Sequence, residues 1–250
     1  MDSKKEDVRV INMFKNYNGY KSVLIISDTH FPYQHPSTYQ FLKGLKEKYS
    51  PDYVVHIGDE VDQHSMSFHD KDPDLMSPGY ELKKAISQLE PIYELFPKMD
   101  IMESNHGSLV FRKGKHHGFS RSVFKSYQQI LKCPETWVWK EDLKLLCNGR
   151  PVYFCHGKSG NSGVLSRNMG MNTVQGHFHS KFDVFYWANP NDQYFDMHVG
   201  CLIDDRSMAM AYNKITINRP LIGCAIILDG TPKLLPMGVD KKGLWDRSVP

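Results

Sequence analysis

Five cysteines are spread over 250 residues, and no Cys-x-x-Cys pair occurs among them. An odd, unpaired set of this kind builds neither a disulfide framework nor a zinc ribbon, and a reducing compartment, the cytoplasm, is the expected setting. No apolar run approaches the roughly 18 residues that a membrane span needs. The opening residues Met1–Asp7 are polar with no apolar run behind them, so no secretory signal is expected. Charge of a single sign is scarce as well: 31 Lys and Arg stand against 28 Asp and Glu, a net charge of +3. That balance is too mild to indicate nucleic acid as a partner, and local clustering must decide. No internal repeat, low-complexity tract or interdomain linker interrupts the chain. What remains, 40% hydrophobic and 24% charged, has the composition of a globular protein with a sizeable core.

The element pattern is α/β early and β-rich late. Val23–Ser27, mostly apolar and branched, reads as a strand buried on both faces, closing at Asp28-Thr29-His30. Phe41, Leu42, Leu45 and Tyr49 recur at helical spacing, Pro51 stops that helix, and Tyr53–Ile57 reads as a second buried strand. Strand, helix, strand in this order predicts a right-handed crossover and a parallel pair. A helix is expected over Tyr80–Phe96 with Pro91 as a break or kink. A third strand is expected at Met99–Glu103, a helix around 121–131, and a small strand at Trp137 and Trp139. Further strands are read at Val152–Cys155, Thr173–Gln175, 181–187, 194–199, 208–212, 223–228 and 233–236, with Asp229-Gly230 as a hairpin turn. Residues 1–22 read as an arm, 23–237 as a single domain and 238–250 as a solvated tail.

A pattern recurs at the ends of these strands. An apolar run stops, and a metal-capable residue follows at once: Asp28 and His30, then Asp59, then Asn105 and His106, then His156, then His177 and His179. Parallel strands deliver their C-terminal ends to one edge of a sheet, so these side chains are expected to converge. A lone His156 reads more readily as a core histidine, and Asp59 alone as a helix cap. Agreement at five strand ends makes chance a poor account.

Taken together, Asp28-x-His30, Gly58-Asp59-x-x-Asp62, Asn105-His106, His156-Gly157 and Gly176-His177-x-His179 resemble the calcineurin-like metallophosphoesterase family, in order and spacing, over residues 23–200. Val199-Gly200-Cys201-Leu202 is similar to a segment that often follows the last motif. The resemblance implies an αββα sandwich of two mixed sheets flanked by helices, with a dinuclear metal site at one edge. It implies that Asp28, His30, Asp59 and His179 hold one metal, and that Asp59 bridges to a second held by Asn105, His156 and His177. Two divalent ions are therefore expected, Mn²⁺ first, with Fe, Zn²⁺ or Ni²⁺ as alternatives, since mixed nitrogen and oxygen ligation suits them all. The implied reaction is hydrolysis of a phosphate ester by water activated between the metals. His106 is expected as the acid on the leaving oxygen and Asp62 as a support for a metal ligand.

Two positions depart from the family pattern. Gly107 stands where an acid commonly follows Asn-His, so His106 lacks a neighbouring carboxylate. Gln63 stands where an arginine often follows the Gly-Asp motif, so a phosphate-binding cation must come from elsewhere. Arg112, Lys113, Lys115 and Arg121 in the basic run 111–121 are the candidates, and 60–135 is the segment with room to set specificity. A solvated loop is the plain alternative for that run. Lys158, Arg167 and Arg206 are weaker candidates, and His64 and His69 read as surface histidines. The expected activity is a phosphodiesterase or nuclease acting on a nucleotide or nucleic acid. The alternatives are a phosphomonoesterase and a catalytically silent binding module on the same scaffold.

Overall fold

β1 (Ser22–Ile26) runs through the middle of the structure, and all five of its residues are buried. Its side chains alternate between two cores, as the period of two requires. Val23 and Ile25 join an apolar layer with Val152, Phe154, Val174 and Met197, whereas Leu24 and Ile26 join another with Phe41, Leu42, Leu89 and Ile92. A strand with two apolar faces must be covered on both sides, and this one is. The computed structural model describes residues 19–67, 74–204, 206 and 219–250.

Two mixed sheets provide the layers. β2 (Tyr53–His56), β3 (Met99–Met102) and β4 (Trp137–Lys140) extend parallel to β1 on one side; on the other, β10 (Gly223–Leu228) pairs antiparallel with β1 and β11 (Thr231–Pro236) antiparallel with β10, giving the order β11-β10-β1-β2-β3-β4. The second sheet takes β5 (Leu143–Cys147), β6 (Arg150–Cys155), β7 (Asn172–Gln175), β8 (Phe182–Ala188) and β9 (Gln193–Val199) in the order β5-β6-β7-β9-β8. Here β6, β7 and β9 are parallel, and β5 and β8 are antiparallel edges. Helices α1 (Thr38–Tyr49) and α2 (Pro78–Leu95) cover the outer face of the first sheet through Phe41, Leu42 and Leu45 and through Ala85, Leu89 and Ile92. α5 (Val164–Met169) covers the second through Leu165, against Tyr153 and Cys155. The short helices α3 (Leu109–His116) and α4 (Tyr127–Leu131) lie between β3 and β4. This is the αββα sandwich of two mixed sheets.

Several expectations change in detail. Pro91 lies inside α2 without ending it. It sits on the exposed side, where its missing N–H deprives only the Ser87 carbonyl, itself on an exposed residue, of a helical partner. The first part of the basic run, 111–116, is helical rather than a loop, with Leu109 and Gly114 burying one side of α3. The helix expected around 121–131 is a 3₁₀ turn, Arg121–Val123, followed by the shorter α4, which starts from a capping box of Ser126 and Gln129. β5 was not expected. The Asp229-Gly230 turn closes β10 onto β11 with Leu228 opposite Thr231, and both turn residues have positive φ, 48° and 79°. Trp245 packs edge-on against Phe41 with ring centroids 5.9 Å apart, and Val249 touches α1 at Gly44, so the tail touches that helix at two points while most of its residues stay exposed. Residues 1–18, the strand expected at 208–212 and His69 lie outside the described residues.

Candidate metal centre

The strand ends meet where the two sheets face each other. Asp28 and His30 follow β1, Asp59 follows β2, Asn105 and His106 follow β3, His156 follows β6, and His177 and His179 follow β7. Four of these residues hold left-handed backbone: Asp28 at φ 49°, His30 at 52°, Asp59 at 53° and His177 at 68°. Such angles are uncommon outside glycine, and Asp and His are among the residues that tolerate them. A cluster of them at one point marks backbone bent to aim side chains, as functional sites do.

The donor atoms crowd together. His30 Nε2 lies 3.1 Å from His179 Nε2, and His179 Nε2 lies 3.2 Å from Asp28 Oδ1. His156 Nε2 stands 3.2 Å from Asp59 Oδ2 and 2.7 Å from Asn105 Oδ1. Asp28, His30, Asp59 and His179 form one group with ligand atoms within 4.8 Å of each other; Asp59, His156 and His177 form a second, and Asp59 is common to both. A pair of imidazole nitrogens facing each other at hydrogen-bond distance, beside two buried carboxylates, is a donor set with the chemistry to hold cations.

Supporting contacts fix these groups in place. Asp28 accepts the His177 main-chain N–H through both oxygens, at 3.2 and 3.0 Å, and the Ser27 hydroxyl as well. His156 Nδ1 donates to the Ile57 carbonyl at 2.9 Å. His30 Nδ1 pairs with Asp62 Oδ1 at 2.7 Å. Asp62 also serves His106, whose Nδ1 bonds the Asp62 main-chain carbonyl and lies 3.6 Å from its carboxylate. A carboxylate therefore stands near His106 although Gly107 carries none, and it comes from the loop after β2. The His106 main-chain N–H donates to Asp59 Oδ1 at 3.1 Å, tying the β3 loop to the shared carboxylate.

The electrostatics follow from burial. Burial alone would lower the His30 pKa, but hydrogen bonds to Asp28 and Asp62 and the charge of Asp59 push it up to about 10. His156 is likewise pushed up to about 9, against burial, by Asp59 and Asp28. Asp28 and Asp59 are held well below the usual carboxylate range by the surrounding histidines, although burial opposes this. His56, buried under Thr29 without a paired carboxylate, is pushed down to about 4 by that burial.

The sequence-predicted cations are arranged less uniformly. α3 begins beside His106, with the Leu109 N–H on the His106 carbonyl at 3.0 Å, and Arg112, Lys113 and Lys115 lie along this one short helix. Arg121 pairs with Glu103 at 3.1 Å and sits over the Phe111 ring, 4.8 Å from its centroid. Lys158 lines a pocket of about 260 Å³ together with Asn105, His156 and His177, and its Nζ donates to Tyr153 Oη at 2.6 Å. Arg206 pairs with Asp204 at 3.0 Å. His64 is buried rather than on the surface.

The packing roles of two residues were not legible in the sequence. Glu60 is buried beside the shared Asp59, accepts from Trp139 Nε1 at 3.2 Å, and is pushed up to about 7 by its burial. A Cβ on Gly107 would approach Glu60 Oε1 to 3.3 Å, so that carboxyl occupies the space beside the Asn-His loop. Gly176 sits directly against Asp28, and the only local sign of it is the glycine preceding His177.

Comparison with known proteins gives a family. A sequence model described as calcineurin-like phosphoesterase matches residues 21–217. No curated protein matches the chain. Among solved structures, Vps29 of Chaetomium thermophilum is similar over 92% of this chain and 92% of its own, at 9% identity and a TM-score of 0.49. A novel archaeal phosphodiesterase is similar over 92% and 99%, at 14% identity and a TM-score of 0.42. The nuclease MPE of Pseudomonas putida is similar over 85% and 87%, at 11% identity and a TM-score of 0.36. With the family model covering most of its length and Asp and His residues gathered at the strand ends, this chain belongs to the calcineurin-like phosphoesterase family.

Proposed function

We propose that this chain is a dinuclear metal-dependent phosphodiesterase acting on a nucleotide or nucleic acid. The observation that carries the reading is the position of Asp59 in two donor groups at once. In this reading Asp28, His30, Asp59 and His179 hold one ion, and Asp59, Asn105, His156 and His177 hold the other. Mn²⁺ suits the set first, then Fe, Zn²⁺ or Ni²⁺. Bound divalent ions supply an activated water at neutral pH and positive charge for the phosphate oxygens. The chain's own residues do the rest. Asp62 holds His30 and His106 in orientation, and His106, anchored through Nδ1, has Nε2 left to deliver a proton to the departing oxygen. Residues 23–237 act as one catalytic domain, with 60–135 setting specificity and the cytoplasm as the location; the five cysteines carry no disulfide.

A diester is preferred over a monoester on charge. The pocket beside Asn105, His156 and His177 carries Glu103 and Glu141 against Lys158. That balance accommodates one negative charge on phosphate better than two. The test compares bis(p-nitrophenyl) phosphate with p-nitrophenyl phosphate on Mn²⁺-loaded protein. Faster turnover of the diester is expected. Preference for the monoester, with no cleavage of DNA or RNA at low salt, would replace this reading with a phosphomonoesterase; no turnover of either would leave a silent scaffold.

Two further outcomes are expected. His106→Ala should lower kcat by about 10²- to 10⁴-fold while metal content stays at the wild-type level. Loss of metal in that variant would mean His106 is a ligand instead. Metal loading should also release protons. His30 and His156 bind protons up to about pH 10 and about pH 9 in the metal-free state, and a metal takes the neutral imidazole. At pH 7 about two protons should therefore leave per chain, and metal affinity should climb as pH rises towards those values. Calorimetry in two buffers of different ionisation enthalpy reads the number; a value near zero would remove these histidines from the ligand set.

A further inference from the structure

A second pocket, of about 350 Å³, lies beside the metal centre and shares Glu103 with the pocket that opens on Asn105, His156 and His177. Its walls come from α3, the 3₁₀ turn, α4 and β4, and include Phe111, Arg121, Phe124, Lys125, Tyr127 and Trp139. Four of these six are aromatic and two are cationic. Tyr127 and Trp139 stack with centroids 5.2 Å apart and planes 23° apart. Phe111 meets Tyr127 and Phe124 edge-on at 5.2 and 5.6 Å, under the Arg121 guanidinium. The Tyr127 hydroxyl is buried and has no hydrogen-bond partner among the described residues. Phe119, 59% exposed, meets the Phe124 ring edge-on with centroids 6.3 Å apart.

Nothing in the metal centre needs this arrangement. A cluster of rings alone would be ordinary core. Here it surrounds a cavity, adjoins the candidate reaction site through one shared residue, and carries two cations and an orphaned hydroxyl. The volume falls at the low end of the roughly 300–1,000 Å³ of small-ligand sites. Rings for stacking and the Lys125 ammonium for an anionic strand together match the chemistry of a nucleoside.

The geometry points to a nucleobase subsite: the pocket of Phe111, Arg121, Phe124, Tyr127 and Trp139 takes the base of a nucleoside phosphodiester whose phosphate lies at the metal centre. This rests on the phosphodiesterase reading above and narrows its substrate to esters that carry a nucleoside. It also gives the 60–135 segment its task, since all but Trp139 of these residues fall within it. Base–aromatic stacking contributes about 1–3 kcal/mol per base, which corresponds to an affinity gain of about 5- to 150-fold.

The experiment is calorimetry on the full chain loaded with Mn²⁺, titrated with adenosine 5′-monophosphate and with ribose 5-phosphate. The nucleotide should bind about tenfold more tightly or better. In Phe111→Leu and in Arg121→Ala the ratio should fall below about twofold. Arg121 is exposed, so its variant tests the point even if Phe111→Leu does not fold. Equal wild-type affinities, no binding of either compound, or an unchanged ratio in the folded variants would overturn the subsite. Turnover of bis(p-nitrophenyl) phosphate separates the two claims. A protein that cleaves it yet binds both ligands equally loses the subsite and keeps the phosphodiesterase reading; one that cleaves no diester yet prefers the nucleotide keeps the subsite and loses that reading.

Discussion

Asp59→Asn should abolish turnover, with kcat/KM falling by about 10³-fold or more, and should reduce metal content from two ions per chain to one or none. The size follows from charge. A carboxylate shared by two dications offsets their repulsion and contributes several kcal/mol to binding and transition-state charge, and each 1.36 kcal/mol is a factor of ten. An amide keeps the shape but loses the charge. The position is also central to the rest of the site: Asp59 Oδ2 lies 3.2 Å from His156 Nε2 and 3.7 Å from His30 Nε2, and Oδ1 accepts from the His106 N–H. Elemental analysis and turnover on the folded variant read both effects. A variant that kept two ions and wild-type turnover would show that Asp59 is not shared between metals.

Gly176→Ala should be nearly as damaging, though the residue holds no ion. A Cβ there would overlap the Ser27 hydroxyl, reach 2.5 Å from Asp28 Oδ2 and 3.0 Å from Ile57 Cγ2. Those neighbours are fully buried with short side chains, so they have nowhere to go. Overpacking of this kind costs about 1–3 kcal/mol, a drop in Tm of about 2–12 °C for a protein of this size. Displacing Asp28 from the His177 main-chain N–H should weaken metal binding on the order of 10- to 100-fold, as loss of a supporting contact does. Thermal unfolding without metal and a metal titration separate the two parts. An alanine variant with unchanged Tm and unchanged metal affinity would mean that the end of β7 has room to move.

What could be read ahead of the structure divides along a physical line. β1, β2, β6 and β10 are apolar on successive residues because they are buried on both faces, and such runs stand out. β5 did not, because Lys144 interrupts Leu143–Cys147 and the strand is an edge with one exposed side. Pro91 argued for a break, yet a proline on the solvent side of a helix costs only one hydrogen bond that water can replace. The basic run hid α3 because its burial depends on Gly114, whose missing side chain is the space that the Phe124 ring fills. The tail's placement depends on Trp245 finding Phe41 some 200 positions away, a contact that no local pattern encodes.

The amino-acid sequence by itself determined the metal-capable residues and the order in which strands present them, because each of them stands within a few positions of the end of an apolar run. Only the tertiary structure decided that Asp59 belongs to two donor groups, that Asp62 stands against both His30 and His106, and that Arg121 is paired with Glu103 beside an aromatic pocket. Those facts are distances between residues far apart in the chain. They arise when two sheets pack face to face and their strand ends bend through left-handed turns, and spacing along a sequence contains no information about either angle.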